Sequence, residues 1–381
     1  MSQFTSLFVA IAMMVAGDAL AQAPSSGPIG KAVDNSKAPV LAFDVDIEPL
    51  KLPPRMNFGE TLGIAIDSKG RIVVLNHPGT PKSGPIFGNA TTQLLEFAPD
   101  GTYVGEIGEG VYGFAYGHSI RFDKNDNLWY VDKASNSVIE FNPQWRVVMN
   151  LGRRDEGYDS ALKLERPTQA EAKPRGSYFN GPTDIAFDAE GDIFIGDGYV
   201  NSRIVKFDKN GDYLMEWGSF GAGGPQANEN PGKINNPHNI QADRQGNIYV
   251  ADRANRRIQE FDKNGKFIKF LFLNAPYDKT HKVTLGVTPP AATRPDQTQP
   301  WTICISNTNP QYLFAIDIDP GRLYKMTLDG KIVGIAGAMA GRQPGQFNWG
   351  HAIACPSENV VWIADMNNWR IQKFTLKAPV R

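Results

Sequence analysis

The sequence is short of four things. Two cysteines in 381 residues are too few for a disulfide-stapled scaffold. The 39 Lys and Arg nearly cancel the 40 Asp and Glu, so no net field draws the chain to nucleic acid or an anionic membrane. The apolar run at residues 7–17, LFVAIAMMVAG, falls well short of the roughly 20 residues a membrane-spanning helix needs. There are only five histidines, which makes their placement worth following.

Glycine and proline are plentiful, at 38 and 27 residues, as suits an all-β fold with many tight turns. Hydrophobic residues make up 41%, enough for a large core. The apolar run ends in Ala19-Leu20-Ala21, a small-x-small cleavage pattern, so residues 1–21 read as a signal peptide. Export to the periplasm or outside the cell is therefore expected. Residues 22–39 are polar and rich in Pro, Gly and Ser, and read as a disordered leader. Residues 40–381 read as one domain.

Repetition sets the fold class. Four segments align without gaps: HSIRFDKNDNLWYVD from His118, TDIAFDAEGDIFIGD from Thr183, HNIQADRQGNIYVAD from His238 and HAIACPSENVVWIAD from His351. Each is a strand, a polar turn and a second strand closing on aspartate: Asp132, Asp197, Asp252 and Asp365. Weaker copies begin at Leu62 and Thr302. A unit of about four strands cannot bury both its faces, but radial stacking around an axis does so. The expected fold is an all-β, six-bladed β-propeller. The sixth copy stops after its third strand, and residues 40–54 supply a spare strand to close the ring.

The first residues of the inner strands ring one mouth of such a propeller: Leu62, His118, Thr183, His238, Thr302 and His351. Histidine occupies every second blade, so three imidazoles form a triangle about the axis. That arrangement suits Zn²⁺ with a fourth position left for water or substrate; the plainer alternative is three separate polar contacts to neighbouring blades. The turns after the second strands open on the same face and offer His77, Tyr199 and Arg253. Tyr199 could equally pack, and Arg253 could pair with a blade aspartate.

The repeat resembles the NHL type. The segments GHSIRF, GPTDIAF with IGDGYVNSRIVKF, NPHNIQA with VADRANRRIQEF, and GHAIA with IADMNNWRIQKF resemble the peptidyl-α-hydroxyglycine α-amidating lyases over nearly all of residues 60–377. The resemblance implies an axial zinc on His118, His238 and His351, a catalytic tyrosine at Tyr199 and an active-site arginine at Arg253. It implies a carbon–nitrogen lyase that splits an α-hydroxyglycine carbinolamide into an amide and glyoxylate. The guanidinium would hold the substrate's carboxylate.

Three departures qualify that reading. His77 stands where the family has a second active-site arginine, Trp349 where it has a methionine near the third zinc ligand, and Ala352 where it has the aspartate of a structural calcium site. The last counts against Ca²⁺ at that place. The expected partner is a small-molecule or peptide substrate bearing a carboxylate, with no nucleic acid, no membrane span and a monomeric protein. The alternative is a non-catalytic NHL propeller that binds a protein or glycan at the cell envelope. Cys304 and Cys355 fall on neighbouring blades, where a disulfide and two buried thiols are both open readings. His281, in the long linker 273–299, is out of repeat register and reads as a surface residue.

Overall fold

The computed structural model describes residues 32–78, 92–153, 168–170, 172, 176–221, 230–280, 297–337 and 339–380. The expected signal peptide, residues 22–31 of the leader, and His281 lie outside them. Six antiparallel sheets of four strands account for nearly all regular structure. Blade 1 runs Glu60–Ile66, Ile72–His77, Gln93–Phe97 and Tyr103–Ile107, and blade 2 runs Gly117–Phe122, Leu128–Asp132, Ser137–Phe141 and Val147–Gly152. Blades 3, 4 and 5 begin with the inner strands Asp184–Phe187, Pro237–Ala242 and Pro300–Ile305. The sixth blade takes Gly350–Ala354, Val360–Asp365 and Arg370–Pro379 from the end of the chain and Leu41–Asp46 from its beginning.

That last pairing closes the ring as the repeat count requires. Leu41–Asp46 lies antiparallel to Arg370–Pro379, with Phe43 opposite Leu376 and Val45 opposite Phe374. Each inner strand packs against the inner strands of both neighbouring blades, so the circle has no gap. Burial follows the same plan. Six apolar clusters fill the six seams between blades, such as Leu75, Ile120 and Tyr130 between blades 1 and 2, or Ile64, Val74 and Trp362 between blades 6 and 1. Second strands are covered on both sides, and Leu128–Asp132 is buried throughout. Outer strands face water, and Val147–Gly152 is mostly exposed.

The sequence assigned residues 32–39 to a disordered leader, but they are held in place. Asn35 is buried, donates to Asn274 Oδ1 at 2.7 Å and accepts from the Ile332 amide at 2.8 Å. The Ile335 amide donates to Pro39 O. This segment therefore covers the outer strand of blade 5 before the chain enters blade 6. A single buried asparagine with polar neighbours on either side carries too little pattern to stand out in a sequence.

Cys304 and Cys355 form a disulfide across a sequence separation of 51 residues, joining blades 5 and 6. By loop entropy, a cross-link of that span is worth about 4 kcal/mol.

Candidate metal centre

The site is built by a device repeated in blades 2, 3, 4 and 6. The aspartate ending the second strand is fully buried and grips two segments at once. In blade 4, Asp252 accepts from the Asn235 amide at 2.7 Å, from Asn255 Nδ2 and from Arg257 Nε at 2.8 Å. Asn235 leads into His238, and Asn255 lies in the turn that carries Arg253. The lead-in and the turn are joined again by the Arg253 amide, which donates to Asn236 O at 3.3 Å. Because Arg257 satisfies Asp252, Arg253 is left to face the mouth. Asp132, Asp197 and Asp365 do the same in blades 2, 3 and 6, fixing Tyr116, Asn180 and Asn348. Buried carboxylates of this kind need several charge-assisted donors to repay desolvation. Burial holds Asp197, Asp252 and Asp365 above the usual carboxylate range even so.

The three histidines meet on the axis. Their ring centroids stand 4.8, 4.8 and 5.0 Å apart, and one nitrogen from each lies within 4.8 Å of the others. Every Nδ1 lies against a carbonyl of the following blade: His118 on Thr183 O at 2.6 Å, His238 on Trp301 O at 2.8 Å, His351 on Leu62 O at 2.7 Å. A carbonyl only accepts, so each Nδ1 carries the proton and each Nε2 presents a lone pair. The contacts to neighbouring blades are thus real, and they orient ligands instead of replacing them. Burial pushes His118 and His238 well below the ordinary imidazole value, and brings His351 down to about 3. Neighbouring positive charge adds to the effect, from Arg253 on His238 and from Lys133 on His118 and His351. His238 Nε2 is buried without a hydrogen-bond partner. Three neutral imidazoles with converging lone pairs and carbonyls behind them fit a zinc ion.

Tyr199 and Arg253 stand beside this triangle, where the sequence placed them. Tyr199 Oη is 3.0 Å from His118 Nε2, so the phenol donates to the lone pair. The Arg253 guanidinium lies close enough to interact electrostatically with the same phenol and sits 4.1 Å above the Trp301 ring. Gly198 makes this approach possible, since a Cβ there would sit 2.1 Å from Pro237 O. Trp301 packs against Trp349 at a 46° tilt with ring centres 5.1 Å apart, which gives the mouth an indole wall.

His77 differs from its expected place. It is 0% exposed, with Nε2 at 3.0 Å from Gly117 O and Nδ1 at 3.5 Å from Glu60 Oε2. Its proton goes to the backbone beside His118, so it braces the ligand strand and does not open to the mouth. The residue the sequence reading passed over is Lys133, whose ammonium lies 4.2 Å from the Tyr116 ring centre and 4.6 Å from that of Tyr199. The signal was available: Lys133 follows Asp132 as Arg253 follows Asp252.

Calcium does not fit. Ala352 offers no ligand side chain. Asp184, a buried carboxylate on the inner strand of blade 3, is engaged by Arg121 at 2.7 Å, by Ser119 and by the Ile240 amide. Among the described residues, the three histidines are the grouping close enough to hold a metal ion.

Comparison with known proteins agrees with the fold. An NHL repeat family model matches residues 179–207. The chain is 29% identical over 253 residues to peptidyl-glycine alpha-amidating monooxygenase B of Xenopus laevis, covering 60% of this chain and 26% of that protein. It is 28% identical over 251 residues to a probable peptidyl-alpha-hydroxyglycine alpha-amidating lyase of Caenorhabditis elegans, covering 61% and 63%. NHL repeat-containing protein 3 of Homo sapiens is 39% identical over 225 residues, covering 55% and 54%. The alignments thus span less than two thirds of each relative. Among solved structures, a streptogramin B lyase superposes with a TM-score of 0.53 at 14% identity, covering 88% of this chain and 98% of that one, which shows the shared fold. The chain is an NHL-repeat β-propeller similar in sequence to the α-amidating lyases.

Proposed function

We propose that the protein is an exported, zinc-dependent carbon–nitrogen lyase that converts an α-hydroxyglycine-type carbinolamide to an amide and glyoxylate. The observation that carries this reading is the hydrogen bond between Tyr199 and His118, with Arg253 held over Trp301, set beside three imidazoles whose nitrogens lie within 4.8 Å of one another. His118, His238 and His351 would hold the metal. Zinc there would supply Lewis-acid polarisation of the substrate oxygen.

The reaction moves one proton and breaks one bond. The hydroxyl on the substrate carbon becomes the aldehyde oxygen of glyoxylate, the C–N bond breaks, and the amide nitrogen gains a proton. Tyr199 is the proton-transfer group, because its Oη already shares a hydrogen bond with His118 Nε2, one of the three converging nitrogens. Arg253 presents cationic N–H donors to the carboxylate. The indoles of Trp301 and Trp349 cover the opposite wall.

Metal analysis of protein purified without chelator, followed by a glyoxylate-release assay on α-hydroxyhippurate, tests the reading. Near-stoichiometric zinc and zinc-dependent release are expected, with each His→Ala variant losing most of the metal. If zinc-loaded protein releases no glyoxylate, and His77→Arg releases none either, the lyase reading fails. A non-catalytic propeller binding a protein or glycan at the cell envelope then stands in its place.

A further inference from the structure

The strand register of blade 5 brings an indole into the ring of metal ligands. In blade 2, Gly117 pairs with Asp132 and Ser119 with Val131, so His118 is the extra residue of a β-bulge. His238 and His351 sit in the same bulge of blades 4 and 6. In blade 5, Pro300 pairs with Asp317 and Thr302 with Ile316, which puts Trp301 in that place and not Thr302. The turn between those two strands is longer in blade 5, which hides the equivalence in the sequence. The axial row therefore reads Leu62, His118, Thr183, His238, Trp301 and His351. The Trp301 ring centre lies 4.8 Å from that of His238, and the Arg253 guanidinium lies over its face. Its Nε1 is buried and meets no hydrogen-bond acceptor. Thr183, by contrast, donates its hydroxyl to Pro237 O at 2.7 Å and lies 3.0 Å from Gly196 O. His238 Nε2, one of the converging nitrogens, is unpartnered in the same way as the indole N–H. Trp349 Nε1 is unpartnered too, but Trp301 is the indole that packs on a ligand imidazole.

We propose that the Trp301 indole N–H binds the acyl carbonyl oxygen of the substrate's scissile amide. A buried donor left unpaired costs free energy, and a ligand oxygen that pairs with it recovers that cost. The carbinolamide carbon carries three polar groups: a hydroxyl, a carboxylate and the acylated nitrogen. Tyr199, Arg253 and Trp301 follow one another on blades 3, 4 and 5, so the three groups can be matched in order. The hydroxyl goes beside Tyr199, and the carboxylate suits the guanidinium. The acyl oxygen is then left for a neutral N–H donor, which Trp301 supplies. As the C–N bond breaks, its electron pair passes to the amide nitrogen and is shared with the acyl oxygen. The nitrogen then takes up the proton that Tyr199 transfers, and the neutral amide leaves. A donor at the acyl oxygen therefore binds more strongly during bond breaking than before it, which lowers the barrier. The proposal rests on the lyase reading for its reaction, but its binding claim concerns any N-acylglycine at this mouth.

Calorimetry on zinc-loaded protein should compare hippurate with 4-phenylbutanoate, which keeps the ring, the chain length and the carboxylate but lacks the acyl oxygen. The wild type should bind hippurate more tightly. Trp301→Phe keeps an aromatic ring and removes the N–H. It should weaken hippurate by about 3- to 10-fold and leave 4-phenylbutanoate within about twofold. Because phenylalanine is smaller than tryptophan, a second variant carrying benzothienylalanine at position 301 preserves the bicyclic shape without the N–H, and should behave the same way. Zinc content should stay at the wild-type level in both variants. In turnover of α-hydroxyhippurate, both should lower kcat/KM by about 10- to 100-fold. Hippurate that binds no better than 4-phenylbutanoate in the wild type overturns the proposal. So does a benzothienylalanine variant that binds hippurate normally, or one that weakens both probes equally, which marks a structural role. Hippurate binding that depends on the indole N–H, without glyoxylate release by the wild type, would sink the lyase reading and leave the donor standing. Undiminished turnover in the benzothienylalanine variant would do the reverse.

Discussion

The two halves of the mouth share one scaffold and differ in what it carries. Blades 2, 3 and 4 present Lys133, Tyr199 and Arg253 in an arc of polar, cationic chemistry. Blades 5, 6 and 1 carry buried Ile318, Met366 and His77 at the corresponding positions, beside the tilted pair Trp301 and Trp349. The backbone device is the same on both sides: Asp365 holds the lead-in and turn of blade 6 through Asn348 and Asn368 just as Asp252 does in blade 4. The fold therefore spends its buried acids on placing turns, and the one or two residues after each acid decide the chemistry. A repeat protein can in this way change one blade's role without disturbing the seams on either side.

The largest break in that contrast comes from taking the acidic hydroxyl out of the polar half. Tyr199→Phe keeps the ring that packs against Lys133 and His118. It should cut glyoxylate release by about 10²- to 10⁴-fold while zinc content, measured by elemental analysis, stays at the wild-type level. A variant that turns over normally would remove Tyr199 from the chemistry.

The histidines straddle the two halves, and their protonation sharpens the comparison. The folded imidazoles are held below the unfolded value of about 6.5, His351 at about 3. Above pH 6.5 neither state binds the proton. As the pH falls below it, the unfolded chain takes up protons that the folded one refuses, so metal-stripped protein should lose stability. Each imidazole contributes a slope of up to about 1.4 kcal/mol per pH unit. Urea titrations of chelator-treated protein between about pH 7 and pH 5.5 should show this slope, and His351→Gln should flatten it by its share. A slope unchanged in that variant would mean the acid sensitivity arises elsewhere.

The smallest effect is expected from the apolar half. Trp349→Ala removes one leaf of the indole wall but no charged group. It should change KM for substrates with a bulky acyl group by less than about tenfold, and leave acetylated substrates nearly unaffected. Equal losses on both would place Trp349 nearer the reacting atoms than the wall suggests.

Much of this molecule was legible in the sequence because a repeat prints its register. The aspartates at Asp132, Asp197, Asp252 and Asp365 marked where each second strand ends, and once that was known His118, His238 and His351 fell on one ring. The closing strand was legible as well, since a blade lacking its outer strand and a spare β-pattern at residues 40–54 answer each other. What escaped depends on side-chain direction across a seam. Lys133 looked like one turn lysine among many, and only its lie between Tyr116 and Tyr199 gives it meaning. His77 shared the mouth register but turned its ring toward Gly117 O, which no spacing rule records. Asn35 went unseen for a similar reason: its partners, Asn274, Gly330 and Ile332, are roughly 240 to 300 residues away.

Because His351 Nδ1 rests on Leu62 O, the third imidazole is aimed by a strand made some 289 residues earlier. During synthesis His118 and His238 emerge first, and each is oriented as soon as the blade after it has folded. His351 has no such successor and must wait for the first blade, across the seam that Leu41–Asp46 completes. The full ligand set thus comes into being at the moment the circle is finished. An incomplete ring offers two oriented imidazoles at most, so tight metal uptake would serve as a timestamp for the end of folding.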